Sequence, residues 1–375
     1  MPYGLYIHIP FCTAKCPYCH FVSITGAESL TESYSRAVSA ELRFCQRGPF
    51  TEAPGTIYIG GGTPSIVPAD KIREMLKDVD VSSASEFTVE ANPESIDSRW
   101  LDGMLETGAD RISIGVQAFD DTILGNLGRR HTARQAVSAI ELARRVGFRS
   151  VSIDLMFGVP GQTLDHWRRT LEQSCGMSPD HISGYSLGIE EDTPYFRRFE
   201  NSDLDIPDQE ETADMYVLMR EKLEAESFFR YEISNFAQRD HECRHNIGYW
   251  NFTPYLGLGA SAHSYDGIVR SWNESDPVRY TDSWTEGDGI TRECEMIDER
   301  TRVLETVMLS LRTSSGLSVR DLPGVSEERK TAIAEKIEVL TDAGFLSVSG
   351  GNSVVLTDKG AVLADEIIAE IACEM

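Results

Sequence analysis

Cys12, Cys16 and Cys19 stand together just after an apolar run at positions 4–9, and no other feature of this 375-residue chain restricts its fold so tightly. Thiols gathered on one short loop at the end of a strand must converge on something they all bind. Eight cysteines in a chain of this length are too few for a disulfide framework. Three adjacent ones are also sterically awkward to pair with one another. The trio therefore reads as metal ligation.

Two inorganic centres suit three thiolates. On a cubic four-iron cluster they leave one iron without a protein ligand, whereas an electron-carrying site is normally closed by a fourth cysteine. The open iron can chelate the amino and carboxylate groups of S-adenosylmethionine (SAM). One electron then breaks the bond from the sulfonium to the adenosyl carbon and leaves a 5'-deoxyadenosyl radical. The alternative is structural zinc with His8 or His20 as fourth ligand. Such zinc sites usually join two close couples of ligands from separate turns, so the cluster is the expected occupant. Gly60, Gly61, Gly62, Thr63 and Pro64 follow a second apolar run. Glycines let a ligand approach the backbone and permit positive φ, and Pro64 can begin the next segment. Alone this is an ordinary strand-to-helix turn; after the cysteine loop, a nucleoside-like ligand is expected.

Short β-branched runs at 4–9, 56–59, 87–90, 111–115, 151–155 and 181–187 alternate with amphipathic stretches. The rhythm predicts α/β architecture: βα units whose parallel sheet curls into an open, partial (β/α)6 barrel, with the functional loops at the carboxyl ends of the strands. Thr132 can cap a helix whose Ala136, Ile140 and Ala143 share a face, and Gly147 marks its end. Val38, Leu42 and Cys45 repeat the pattern, which makes Cys45 a core residue. An acidic connection over 190–211 leads to a helix over 212–227, and the polar stretch 276–298 is expected to be a linker. Beyond it, two helices, two short strands and a last helix predict a small winged-helix-like α+β domain. The expected division is 1–230 for the barrel, 231–290 for an extension and linker, and 291–375 for the C-terminal domain.

Sixty Asp and Glu against 35 Lys and Arg give a net charge of -25, and residues 298–375 alone carry 14 acidic and 8 basic side chains. Both balances disfavour nucleic acid as a partner. No apolar run reaches the ~18 to 20 residues of a membrane span, and the cysteines precede any signal-peptide pattern. A cytoplasmic protein that does not cross a membrane is expected.

LYIHIPFCTAKCPYC, IYIGGGTPS, VEANPES, GVQAF, LGRRH, DLMFGVPGQT, YSLGIEEDTP, HNIGYW and LGLGASAH follow one another along nearly the whole chain. In that order they resemble the coproporphyrinogen III oxidase-like family of the radical SAM superfamily. The resemblance implies a 4Fe–4S cluster on Cys12, Cys16 and Cys19, with Tyr6, Gly61 and Glu90 contacting the cluster-bound SAM. Positions matching Tyr18, Gly62, Thr63, Gln117, Arg129 and Asp154 hold a second SAM in the oxidase. For Gln117, Arg129 and Asp154 a structural network across the barrel strands is an equal alternative, and Arg130 is a neighbour able to exchange roles with Arg129.

Two departures set the branch. The oxidase has another cysteine two positions after the third, where this chain has Phe21, and it has a longer N-terminal arm. What remains resembles the HemW-like branch, haem chaperones that bind haem and pass it to haem-requiring proteins. That branch usually carries Asp where this chain has His20. The resemblance implies haem contacts at His245, Tyr249 and Trp250, since an imidazole can ligate iron and the aromatic rings can cover a porphyrin face. The plain alternative is an aromatic turn whose histidine caps a carbonyl. The implied partners are haem or a porphyrin, haem-acceptor proteins and an electron donor, and a homodimer is allowed. The competing function is an oxygen-independent coproporphyrinogen III oxidase, turning two propionates into vinyl groups.

Overall fold

The computed structural model describes residues 3–287, 289, 292–350 and 353–375. Six strands, β1 (Gly4–Ile9), β2 (Thr56–Gly61), β3 (Phe87–Ala91), β4 (Arg111–Gln117), β5 (Ser150–Phe157) and β6 (His181–Ser186), lie side by side in chain order. All neighbouring pairs among them are parallel. This is the α/β partial barrel expected from the strand rhythm.

Strand side chains alternate between two faces, and here the two are chemically unlike. Leu5, Ile7, Ile9, Ile57, Ile59, Val89, Ile112, Ile114 and Ile153 are buried among the surrounding helices. The intervening positions are polar. Register pairs Tyr6 with Tyr58, Thr88 with Arg111, Glu90 with Ser113 and Asp154 with Ser183. One face thus builds the apolar core, and the other lines a lumen able to take a polar ligand, where a closed barrel would be filled with branched apolar side chains.

Helix α1 (Thr31–Cys45) buries Tyr34, Val38, Leu42 and Cys45. Helix α2 (Ala133–Val146) starts at a capping box between Thr132 and Gln135 and ends at Gly147, whose φ is 108°. Both ends are those read from sequence, because each signal is local. Helix α3 (Gln209–Ala225) opens on a second capping box, Asp208 with Glu211, three residues earlier than expected.

The sheet continues past the six strands at both edges. Strand β7 (Asn235–Ala237) runs antiparallel to β6. On the other side β8 (Tyr255–Leu258) pairs in parallel with β1, Leu256 beside Leu5. From it an antiparallel meander of β9 (His263–Tyr265), β10 (Val269–Trp272) and β11 (Glu293–Met296) extends the edge. Between β7 and β8 lies the short helix α4 (Arg244–Trp250).

The stretch 276–298 is no linker. It holds helix α5 (Pro277–Thr285), packed on α1, as well as β11. Its anchor is the fully buried Glu41 of α1, which accepts hydrogen bonds from Tyr280 Oη at 2.5 Å and Arg292 Nη2 at 2.5 Å. Glu41 also accepts from Asn273 Nδ2 at 2.7 Å and Gly259 N at 2.9 Å. A polar segment is ordered here because its polar groups converge on one buried carboxylate.

Helices α6 (Glu299–Leu311) and α7 (Glu327–Asp342), the hairpin of β12 (Leu346–Val348) with β13 (Val354–Leu356), and α8 (Ala364–Ala372) follow in the expected order. Val307, Leu311, Ile333, Leu340, Leu346, Leu356 and Ile371 are buried in this unit. It meets the barrel through Arg220 of α3, whose Nε lies 2.5 Å from Asp358.

Candidate functional site

The cysteine loop leaves the carboxyl end of β1 and is tied to the glycine turn after β2 by backbone hydrogen bonds. Gly62 N donates to Ile9 O at 2.7 Å and Thr63 N to Phe11 O at 2.8 Å. A Cβ on Gly62 would lie 2.6 Å from Phe11 O and 3.0 Å from Cys12 Sγ, so only glycine admits this approach. Gly61 adds a φ of 112°. His8, from β1, holds the far side of the loop through Nε2 and Val22 O, 2.9 Å apart.

Cys12, Cys16 and Cys19 are free and half-buried. Burial pushes the Cys19 thiol up. Donors face two of the sulfurs: Thr63 Oγ1 lies 3.6 Å from Cys12 Sγ and Arg129 Nη1 lies 3.9 Å from Cys16 Sγ. Among the described residues no three His, Cys, Asp or Glu side chains gather closely enough to share one ion. Three free thiols on one short loop, with no fourth cysteine among the described residues that line the cavity beneath it, are a donor set that would leave one iron of a cubane open.

A cavity of about 460 Å³ opens from this loop down the lumen. Tyr18, Gly61, Gly62, Thr63, Glu90, Gln117, Arg129 and Asp154, all singled out from sequence, line it. Tyr6 does not. Its hydroxyl lies 3.1 Å from His8 Nδ1 and its ring stacks 6.2 Å from that of Tyr58, behind the lining.

Glu90 accepts from Tyr58 Oη at 2.7 Å and from Gly61 N at 3.1 Å. Burial nevertheless pushes its carboxyl up to about 7. Asp154 accepts from Ser113 Oγ at 3.0 Å and is likewise raised by burial. Arg129 donates to Asn92 Oδ1 at 2.7 Å and to Gly115 O at 2.9 Å, while its Nε is buried without a partner. A guanidinium held this way beside a sulfur, with a donor to spare, suits an anionic or oxygen-rich ligand. Gln117 sits at a φ of 65° where the pairing of β4 with β5 slips register, the kind of local strain found at ligand sites. Arg130 is exposed and donates to Thr13 O at 3.3 Å, so it takes a different place from Arg129.

Asn92, Arg111, Ser113, His181 and Ser183 also line the cavity and were not singled out from sequence. Arg111, Ser113, His181 and Ser183 fall on the polar alternate positions of their strands, a signal that becomes readable once the inner face is known.

The segment His245 to Trp250 forms α4, beneath the barrel at the amino ends of β1 and β2. Glu86 holds its start by accepting from Arg244 N at 3.0 Å and His245 N at 3.1 Å. The His245 ring is buried, its Nδ1 2.9 Å from Thr56 Oγ1 and its Nε2 2.8 Å from Tyr249 Oη. Burial pushes its pKa down to about 3, so the ring is neutral. Its ring centroid lies 5.2 Å from that of Tyr58, the two rings tilted by 30°, and Asn246 reaches the main cavity from below. As folded, the helix is the floor of the lumen, and both nitrogens of His245 are engaged. The pocket beside it, about 210 Å³, is below the ~300 Å³ at the small end of drug-sized ligand sites. Tyr249 stands edge-on to Tyr255 at 4.8 Å, and Trp250 is half-buried.

A partial barrel with a three-cysteine loop over a polar lumen defines a radical SAM protein, and residues 6–173 match the model of the radical SAM superfamily. The proteins of that superfamily share the 4Fe–4S cluster and SAM. The heme chaperone HemW of Bacillus subtilis (strain 168) is 33% identical, over 99% of each chain. That of Synechocystis sp. is 34% identical, over 95% of this chain and 89% of its own. The chain belongs to the HemW family. Its fold is that of coproporphyrinogen III oxidase (HemN) from Escherichia coli, with a TM-score of 0.82 at 22% identity, covering 100% of this chain and 91% of the other. Among the described residues no helix is long and apolar enough to cross a membrane.

Proposed function

We propose that this chain is a haem chaperone: it binds haem and passes it to haem-requiring proteins in the cytoplasm, and it carries a 4Fe–4S cluster on Cys12, Cys16 and Cys19 with SAM beside it. The observation that carries the reading is identity of 33% along the full length of a heme chaperone, together with Phe21 where the oxidase has its additional cysteine.

The bound cluster supplies the single electron that cleaves SAM. The rest of the work belongs to the chain. Gly61 and Gly62 allow SAM close to the loop, and Glu90 accepts from ribose hydroxyls. Arg129, with its spare donor, holds polar groups beside the cysteine loop, and Asp154 holds them farther down the lumen. Thr63 and Arg129 direct donors at the cysteine sulfurs, which lowers the cost of negative charge there. The helix from His245 to Trp250 closes the lower end against water. Iron ligation by His245 would require its ring to give up one of two hydrogen bonds, that of Nδ1 with Thr56 or that of Nε2 with Tyr249; Tyr249 and Trp250 would flank the porphyrin.

The test is anaerobic reconstitution with iron and sulfide, followed by loading with haem and mixing with an apo-haemoprotein. Transfer of the Soret band to the acceptor is expected. Catalytic formation of protoporphyrinogen from coproporphyrinogen III, with no haem uptake, would instead make the chain an oxidase.

A further inference from the structure

The pocket beside His245 is about 210 Å³, under the ~300 Å³ at which drug-sized ligand sites begin, so it must widen before a porphyrin can reach the ring. One side of it, around Gly4 and Thr56, belongs to β1 and β2 in the middle of the sheet. The other comes from α4 and the segment after it, with Tyr249 and Tyr255 among its side chains. That second side is the one able to move.

Both of its parts lead to one helix outside the barrel. Tyr249, whose hydroxyl lies 2.8 Å from His245 Nε2, stands edge-on to Tyr255 with ring centroids 4.8 Å apart. Strand register sets Tyr255 beside Tyr265 and Tyr265 beside Arg270, so the three side chains share one face of the meander. On that face lie Arg302 and Glu305 of α6, about one turn apart. Glu305 accepts from Arg270 Nη2 on both carboxylate oxygens at 2.8 Å. Arg302 donates to the Tyr265 hydroxyl and, at 2.7 Å, to Gly267 O. Its guanidinium also lies 4.4 Å from the centre of the Phe252 ring, a cation–π contact. Phe252 N in turn donates to Tyr249 O at 3.4 Å, in the turn that ends α4. Arg302 thus grips the aromatic row behind Tyr255 and the turn behind Tyr249 at once. The same helix buries Val307 and Leu311 in the C-terminal unit, so its position is set by that unit.

We propose that α6 latches the haem pocket: Arg302 and Glu305 hold its movable side closed, and a shift of α6 lets it widen for the porphyrin. Arg302 is a positioning residue, acting on His245 through Tyr249, and the C-terminal unit governs how fast haem enters. The closed pocket binds no porphyrin, so uptake follows the open fraction, and weakening the latch raises that fraction. The proposal rests on the chaperone reading and adds a control to it.

The test follows haemin uptake by the full chain in the Soret region by stopped flow, for wild type, Arg302→Gln, Glu305→Gln, Tyr265→Phe and Arg312→Gln. Circular dichroism checks that each is folded. Tyr265→Phe keeps the ring and removes only the hydroxyl that Arg302 holds, which disturbs the fold least. Arg312, at the end of α6, pairs with Asp365 inside the C-terminal unit and serves as the control for general loosening. Association about fivefold faster or more is expected in Arg302→Gln and Glu305→Gln, and a smaller rise in Tyr265→Phe. Arg312→Gln should keep the wild-type rate. The Soret position and the electron paramagnetic resonance (EPR) spectrum of the haem iron should stay those of wild type, because the ligand is the same. Wild-type or slower uptake in folded latch variants, or an equal acceleration in Arg312→Gln, would overturn the latch and leave the chaperone reading standing. A wild-type chain that takes up no haem would remove both.

Discussion

Glu90 serves the fold and the ligand with one carboxyl group. It accepts from Tyr58 and Gly61 and still faces the lumen. Its folded pKa of about 7 lies above the ordinary 4.5, because burial penalises the charge. Its share of stability is therefore full below 4.5 and lost as pH rises through about 7. Glu90→Gln should flatten that part of the thermal-midpoint profile of the cluster-free chain; an unchanged profile would show that the carboxyl is not the titrating group. His245 has the opposite sign, its pKa lowered by burial from 6.5 to about 3, so its contribution is full above 6.5 and is lost as pH falls. Replacing it with Ala leaves Thr56 and Tyr249 without their partner and opens a cavity. A loss of ~3 kcal/mol in denaturant unfolding is expected, and less than ~1 kcal/mol would contradict the buried, doubly bonded ring. For SAM, Glu90→Ala should raise Kd about 10- to 100-fold by calorimetry on reconstituted protein, the worth of one charge-assisted hydrogen bond.

At the scale of elements, the cysteine loop depends on the turn after β2. Gly62→Ala must push Phe11 O and Cys12 Sγ away from contacts of 2.6 and 3.0 Å. Iron bound per chain after reconstitution should fall by more than half; full occupancy would mean that the loop is adaptable. Elements with local signals were legible in the sequence. Helix α2 announces both of its ends through Thr132 and Gly147, and β1 is a largely apolar run, interrupted by His8, beside the cysteines. The failures are non-local. Strand β8 pairs with β1 from across the whole barrel, and α5 is ordered by Glu41, a residue far from it in sequence. Nothing near Tyr280 in the chain reveals that partner, so a polar stretch passed for a linker. Arg292→Ala should leave Glu41 short of its cation, and hydrogen exchange over β8 to β11 should quicken before that of β2 to β5 does. Equal quickening across the sheet would contradict a clasp confined to that edge.

For the whole molecule, one alternation organises the function: apolar positions toward the helices, polar ones toward the lumen. The sequence showed the first set as strand periodicity, but only closure of the sheet reveals that Arg111, Ser113 and Ser183 face the same space as Glu90 and Asp154. The cysteines and glycines were readable because each motif is contiguous, while the lumen is assembled from single residues of many strands. The place of the HNIGYW segment was not legible for the same reason, since Thr56, which with Tyr249 holds the His245 ring, lies far from it in sequence. The SAM site proposed for this chain requires a cluster with one iron left open. The direct measurement is EPR of the reduced, anaerobically reconstituted protein with and without SAM. A 4Fe–4S signal that shifts on adding SAM, and that is absent when Cys12, Cys16 and Cys19 are replaced by alanine, is expected. Zinc in place of iron, or a cluster signal indifferent to SAM, would contradict it.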